Sequence, residues 1–172
     1  MASTLPIGTL AECYAQALMI EREAAERCTE FAEFLEDHGA LSTAAVFRKL
    51  ARYEQQHAEE LERRTEGFPQ PHLRQWEFSW LDDAPPEQVS HEFIFHLMTP
   101  YHALRIALDA EQRSKALFEH LSVASGHPEV RALARQLADE ESEHVDWLQD
   151  ALVKVPRPPV SEADFEQMLG HG

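Results

Sequence analysis

Six residues carry side chains that bind transition metals, and their spacing repeats along the chain. They are Glu21, Glu54, His57, Glu111, Glu141 and His144. In each half of the set, one glutamate is followed at a similar distance by a Glu-x-x-His motif. Residues i and i+3 share one face of a helix, so each motif presents a carboxylate and an imidazole side by side. Carboxylates and imidazoles without a thiolate suit iron or manganese better than soft-ligand metals, and this number of ligands fits a pair of ions.

The position of the glutamates is more informative than the motifs themselves. With 23 glutamates and 10 histidines among 172 residues, two Glu-x-x-His motifs are close to chance expectation. All four glutamates, however, occupy places in the apolar stripes of the helices expected to carry them. An ionised carboxylate buried alone costs several kcal/mol, so four together require cations or protons. Ordinary surface positions for these glutamates are therefore disfavoured.

Four segments have apolar residues at steps of three and four, which is typical of amphipathic helices. Gly39 is expected to stop the first helix and Ser42 to cap the second. Thr99 and Pro100 are expected to begin the third, and Pro128 the fourth. The predicted helices cover residues 10–37, 42–64, 100–126 and 128–153.

The lengths of the connections predict an all-α four-helix bundle made of two antiparallel hairpins. Short links join the first helix to the second and the third to the fourth, whereas residues 65–98 can cross the length of a bundle. A short extra helix is expected near residues 86–97. We assign residues 1–155 to the bundle and 156–172 to a Pro-rich tail. At about 1.5 Å per residue, all six candidate ligands then fall at one level within a turn.

Composition excludes several classes of partner. A net charge of −16 would repel nucleic acid and anionic membrane surfaces. No apolar run is long enough to span a bilayer, and the N-terminus lacks a signal-peptide pattern. The two cysteines, Cys13 and Cys28, form no CxxC motif and cannot pair within one helix. These features favour a reducing cytoplasm.

Longer stretches resemble the rubrerythrin family of the ferritin-like superfamily. The first hairpin is similar in Ala17-Leu-Met-Ile-Glu-Arg-Glu-Ala-Ala and Glu54-Gln-Gln-His, and the second in Ala107-Leu-Asp-Ala-Glu-Gln-Arg and Glu140-Glu-Ser-Glu-His. The resemblance covers roughly residues 8–153. It implies a ferritin-like bundle whose six matching residues bind two iron ions (Fe2+/Fe3+), with manganese or zinc as possible substitutes. It also implies reaction with hydrogen peroxide or dioxygen, Glu54 and Glu141 as bridging ligands, and a homodimer.

The chain departs from the family pattern at three points. It has no rubredoxin-type CxxC pairs, so electrons would come from a separate donor such as a rubredoxin-type protein. Ser114 stands where the family has an extra glutamate one turn after the third-helix ligand, and Cys28 stands where a tyrosine is common. The first hypothesis is therefore a di-iron oxidoreductase of peroxidase or ferroxidase type. The alternatives are a non-enzymatic iron-handling protein and a structural bundle with a vestigial site.

Several other residues could support the site, but a structural role is expected for most of them. Glu140 and Glu143 flank the second motif and are expected to be solvated, because an offset of one residue turns a side chain by about 100°. Solvent exposure is likewise expected for a series of glutamates on the first two helices, namely Glu23, Glu26, Glu30, Glu33, Glu59, Glu60 and Glu62. Capping or packing is favoured over metal binding for three histidines, His91, His96 and His102. For Tyr14 and Tyr53, core packing is at least as favoured as hydrogen bonding to the ligand carboxylates. Packing is favoured over cofactor binding for three aromatic residues of the crossover, Trp76, Phe78 and Trp80. A buried, inert thiol is favoured for Cys28.

Overall fold

The computed structural model describes residues 9–68 and 98–158, and four α-helices dominate these two ranges. The helices are α1 (Leu10–Asp37), α2 (Leu41–Arg64), α3 (Pro100–Ala124) and α4 (Pro128–Leu152). α1 packs along α2 and α3 packs along α4, so the predicted bundle of two antiparallel hairpins is confirmed. Among the described residues, no helix is both long and apolar enough to cross a membrane. The predicted extra helix at 86–97 and most of the predicted tail lie outside the described residues.

Local side-chain contacts fix the starts of two helices. At the start of α1, the Thr9 hydroxyl accepts from the Glu12 N–H, and the Glu12 carboxylate accepts from the Thr9 N–H. Thr99 and His102 make the same reciprocal pair at the start of α3, where Pro100 occupies the first helical position. These contacts satisfy N–H groups that have no partner within the helix. His102 therefore has the capping role that the sequence favoured.

The turn between α1 and α2 follows the prediction at Gly39 but not at Ser42. Gly39 has a φ of 75°, in the left-handed region that glycine adopts without steric cost. The Ala40 N–H then donates to the Leu35 carbonyl at 2.8 Å, which closes the end of α1. Because the chain re-enters a helix directly after this bond, Ala40 is the N-cap of α2 and Ser42 lies inside the first turn. The predicted capping role of Ser42 was wrong.

The apolar core is divided into two clusters. One contains Phe31, Phe47, Leu104 and Leu148 with their neighbours. The other lies at the opposite end of the bundle and includes Leu18, Leu61, Phe118, Val130 and Leu137. On each helix, the change from one cluster to the other occurs at a candidate metal ligand. The polar residues therefore form a layer between two apolar halves, as the predicted common level requires.

Candidate metal centre

Each of the four helices contributes one buried glutamate to this layer. The exposed fractions are 1% for Glu21, 0% for Glu54 and 2% for both Glu111 and Glu141. Each helix places its glutamate on the stripe that faces the other helices, because the residues three and four positions before each glutamate are apolar. The charge-bearing oxygens are thus removed from water by the same packing that forms the core.

The two histidines bring an imidazole to each side of the layer. His144 Nδ1 lies 2.8 Å from Glu54 Oε1 and 3.5 Å from Glu111 Oε2. His57 Nδ1 lies 3.5 Å from Glu21 Oε2. The two imidazole rings stack with centroids 5.6 Å apart and an angle of 17° between their planes. Glu141 lies within 4.8 Å of Glu111 and His144, so all six predicted residues are brought together. Nδ1 of each histidine points at a carboxylate.

Most donor atoms in this layer have no hydrogen-bond partner in the part of the chain that the structure describes. The buried atoms without one are Glu21 Oε2, both carboxylate oxygens of Glu54, Glu111 Oε1, Glu141 Oε2, and Nδ1 of His57 and His144. Leaving a polar atom buried and unpaired costs about 1–3 kcal/mol, and more for a charged one. A cation bound among these atoms removes that cost, because each of them carries a lone pair that it can donate.

The spacing of the donor atoms fits metal ions. Within residues 9–68 and 98–158, two groups have ligand atoms within 4.8 Å of one another; these are Glu54, His57 and His144, and Glu111, Glu141 and His144. Two donors bound side by side to one ion at about 2.1 Å lie about 3 Å apart. The short contact between His144 and Glu54 has this separation without hydrogen-bond geometry. The residues present therefore suit a pair of hard or intermediate cations.

The electrostatics of the layer reflect its burial. Burial, and then the neighbouring carboxylates, raise the pKa of Glu54 and the pKa of Glu141 well above the ordinary value. For Glu21, burial acts to raise the pKa, but contacts with Glu54 and His57 outweigh it, and the pKa is lowered. Contact with Glu21 is the largest influence on His57 and raises its pKa against the opposing effect of burial. Without a cation, protons therefore remain on this cluster at pH values where free carboxylates are ionised.

Glu140 departs from its predicted solvent exposure. Its side chain is 29% exposed and its Oε2 lies 3.9 Å from His57 Nδ1. The other oxygen, Oε1, accepts a hydrogen bond of 2.9 Å from the Gln136 side chain one turn earlier. Glu143 is exposed as predicted. The helical offset turns Glu140 away from the centre of the bundle, but α2 packs beside that face and brings His57 to it.

An aromatic wall covers the outer side of His144. The Trp147 ring lies 5.2 Å from the His144 ring, and the Tyr53 ring lies 4.9 Å from the Trp147 ring. Lys49 places its ammonium group 3.6 Å from the centre of the Trp147 ring, which is a cation–π contact. Trp147 was not among the residues predicted from the sequence, although its position three residues after His144 puts it on the same helical face.

Three further predictions concern residues near the site. Cys28 is fully buried and burial raises its pKa well above the ordinary thiol value, as expected for an inert thiol. Tyr14 packs edge-on against Phe68. Glu23 was expected to face solvent, but its side chain is only 16% exposed because it packs beside Arg27, with a carboxylate oxygen 3.3 Å from the guanidinium. The remaining aromatic and histidine predictions, on His91, His96, Trp76, Phe78 and Trp80, lie outside the described residues.

Comparison with known proteins assigns the chain and its fold to one family. The Rubrerythrin family profile matches residues 12–152, a range that includes all six candidate ligands. An uncharacterised conserved protein from Magnetospirillum magnetotacticum MS-1, known from its crystal structure, has 40% sequence identity and a TM-score of 0.78 over 89% of this chain and 99% of that chain. No curated protein matches significantly. The bundle is thus the predicted ferritin-like fold, and the chain belongs to the rubrerythrin family.

Proposed function

We propose that this protein binds two iron ions in the buried layer and uses them to reduce hydrogen peroxide or dioxygen. The observation that carries the proposal is the set of buried carboxylate and imidazole atoms that have no hydrogen-bond partner among the described residues. Membership of the rubrerythrin family supports a di-iron centre at these positions. The same donor atoms would accept manganese or zinc as substitutes.

Charge supports two ions instead of one. Four carboxylates, if all ionised, bring four negative charges into a layer from which water is excluded. Two divalent ions carry the matching positive charge, whereas one leaves half of it uncompensated. The neutral imidazoles of His57 and His144 then complete the ligand sets without adding charge.

The geometry supports a specific division of roles. In this proposal Glu21 and His57 are terminal ligands on one side, and Glu111 and His144 are terminal ligands on the other. Glu54 and Glu141 would bridge. For Glu54 the support is its position, because its ligand atom lies within 4.8 Å of those of both His57 and His144. For Glu141 the role follows the resemblance to the rubrerythrin family.

Bound iron would supply two electrons, one from each Fe2+ to Fe3+ oxidation, which is the number needed to reduce one molecule of peroxide. The chain itself contributes the dry surroundings: five of the six ligands are almost completely buried, so competing water is kept out. Reduction of one peroxide to two waters also consumes two protons, and these would come from solvent, because a bound cation has already displaced the protons that the raised pKa values of Glu54 and Glu141 retain in its absence.

Electrons for a further cycle would come from another protein. The sequence has two cysteines and no CxxC motif, so it contains no rubredoxin-type iron site of its own. We propose a rubredoxin-type donor for this role and a homodimer as the working assembly. A cytoplasmic location would suit both the reducing donor and the two unpaired cysteines.

A non-enzymatic iron-handling role is the second candidate. The observation that favours it is Ser114, which occupies the position one turn after Glu111 where the family has an additional carboxylate. A partly buried hydroxyl there cannot replace a charged ligand when iron is oxidised. Such a protein would still bind two ions through the same six residues.

Anaerobic titration with Fe(II), followed by rapid mixing with peroxide, tests these functions. Two ions per chain and fast, peroxide-dependent oxidation of the bound iron support the oxidoreductase. Two ions with oxidation no faster than that of free Fe(II) support iron handling. If no metal binds and Glu54→Ala stabilises the fold, the site is vestigial.

A further inference from the structure

The buried layer is open to solvent at one edge among the described residues. The side chains of Glu21, Glu54, Glu111 and His144 are 1% to 3% exposed, whereas that of His57 is 19% exposed. Glu141 is equally buried, at 2%. An ion that arrives from water therefore meets the imidazole of His57 before it meets any other of the six ligands.

Glu140 lies at this edge, outside His57. Its Oε2 is 3.9 Å from His57 Nδ1, while Glu21 Oε2 lies 3.5 Å from the same nitrogen on the inner side. The hydrogen bond from Gln136 to Oε1 holds the Glu140 carboxylate in place and leaves Oε2 directed at the imidazole. His57 Nδ1 is thus bracketed by an outer, half-exposed carboxylate and an inner, buried one.

The buried position of Glu21 distinguishes the group formed by Glu140, His57 and Glu21 from an ordinary cluster of surface charges. Glu21 is 1% exposed, and its Oε2 has no hydrogen-bond partner in the described ranges. A bound cation would supply the partner that this buried oxygen lacks. The three groups therefore form a series in which exposure falls from Glu140 through His57 to Glu21, and each member contacts the next.

Arg64, which lies next to Gln136 at this edge, is paired with a carboxylate other than Glu140. Arg64 on α2 pairs with Glu60 one turn before it, and it also donates a long hydrogen bond of 3.5 Å to the Gln136 side chain. The guanidinium charge is therefore matched by Glu60, which lies on the same rim. Apart from His57, no basic side chain forms an ion pair with Glu140 among the described residues, and His57 is itself a candidate ligand, so Oε2 of Glu140 remains available to attract a metal ion.

We infer that Glu140 is the uptake carboxylate of the centre: it binds incoming divalent cations first and transfers them to His57 and Glu21. This inference rests on the proposed metal binding. A hydrated ion must exchange its waters for protein ligands one at a time, and a half-exposed carboxylate can bind it before it leaves the solvent. Because six other ligands are available to two ions, Glu140 is needed for the rate of uptake and not for the final complex.

Stopped-flow uptake of Co(II), followed by the visible absorption of the bound ion, tests this role. The wild type is compared with Glu140→Gln and with Glu143→Gln, which removes the same charge from an exposed position on the same helix. Thermal melting of the metal-free variants checks that both are folded. At low ionic strength we expect Glu140→Gln to slow uptake about three- to tenfold, since local charges steer ions, and the difference should shrink as salt is added.

The outcomes are separable. Slower uptake in Glu140→Gln alone, with two ions bound at equilibrium, supports the inference. Equal rates for Glu140→Gln and wild type would overturn it, because Glu140 would then have no role in uptake. Equal slowing by both variants would also overturn it, because the effect would then come from the overall negative charge of the protein and not from the position of Glu140. Loss of one bound ion in Glu140→Gln would also overturn it and make Glu140 a permanent ligand. If wild type binds no Co(II), the proposed function itself fails.

Discussion

Nδ1 of His144 lies 2.8 Å from Oε1 of Glu54, although the two residues belong to different hairpins and neither atom makes a hydrogen bond within the described residues. Two acceptor atoms so close together repel each other unless a proton or a cation lies between or beside them. This contact joins the hairpins at the centre of the bundle. The stability of the pairing between hairpins is therefore expected to depend on what the site binds.

Replacement of Glu54 by glutamine should separate folding from metal binding. The amide is uncharged and of equal size, so the metal-free protein at pH 8 should gain about 1–3 kcal/mol in free energy of unfolding. The extra stability that wild type gains with Mn(II) should fall by at least half. Urea denaturation with Mn(II) and with a chelator measures both effects. Glu59→Gln, at an exposed position on the same helix, is the control, and a metal-free Glu54→Gln protein less stable than wild type would contradict the expectation.

The stability of the metal-free protein should fall as pH rises from about 5 to 8. The raised pKa values of Glu54 and Glu141 mean that the folded state keeps protons that the unfolded chain has released above its ordinary carboxyl pKa. His57, whose pKa is also raised, acts in the same direction as the unfolded imidazole deprotonates. Each proton that only the folded state retains lowers the free energy of unfolding by about 1.4 kcal/mol per pH unit.

The lowered pKa of Glu21 has the opposite sign but a different pH range. Its contribution is present above the ordinary carboxyl pKa and is lost only as pH falls below that value, so it does not offset the trend at neutral pH. With Mn(II) present the trend should reverse, because binding requires the protons to leave. Melting temperatures at several pH values, with and without metal, measure this. A metal-free melting temperature that rises towards pH 8 would contradict it.

Binding of Co(II) should quench the fluorescence of Trp147. Its ring lies 5.2 Å from the ring of His144, and a paramagnetic ion held by that imidazole is close enough to quench it efficiently. Trp147→Phe should lose most of this quenching but still bind two ions, because an aromatic ring supplies no ligand. Fluorescence titration combined with metal analysis checks both parts. Undiminished quenching in Trp147→Phe would place the ion elsewhere.

Replacement of Gly39 by alanine should cost about 1 kcal/mol in free energy of unfolding, since any residue with a Cβ is strained in the left-handed region. A Cβ added there meets nothing within 4 Å, so the cost is confined to the backbone. Gly126, in the turn between α3 and α4, also has open space around it but no positive φ. Gly126→Ala should therefore leave the urea midpoint unchanged, and an equal loss in both variants would show that the φ of Gly39 is not the cause.

Helix positions and inward-facing residues could be predicted from the sequence alone. Apolar periodicity is a local property, so it predicted the ends of all four helices to within two residues and placed Glu21, Glu54, Glu111 and Glu141 on buried stripes before any packing was known. The lengths of the links were sufficient to predict two hairpins. Ser42 was misassigned because the cap depends on the backbone path after Gly39, and residue type alone does not specify that path.

The way neighbouring helices meet at the site depends on tertiary packing. Glu140 and Trp147 lie to one side of the buried stripe of α4, and on an isolated helix they would be partly solvated. Packing of α2 beside that face brings His57 to Glu140 and Tyr53 to Trp147, and it leaves His57 as the one partly exposed candidate ligand. These relationships depend on the distance and rotation between helices, which arise from the fit of many side chains and leave no pattern along the sequence.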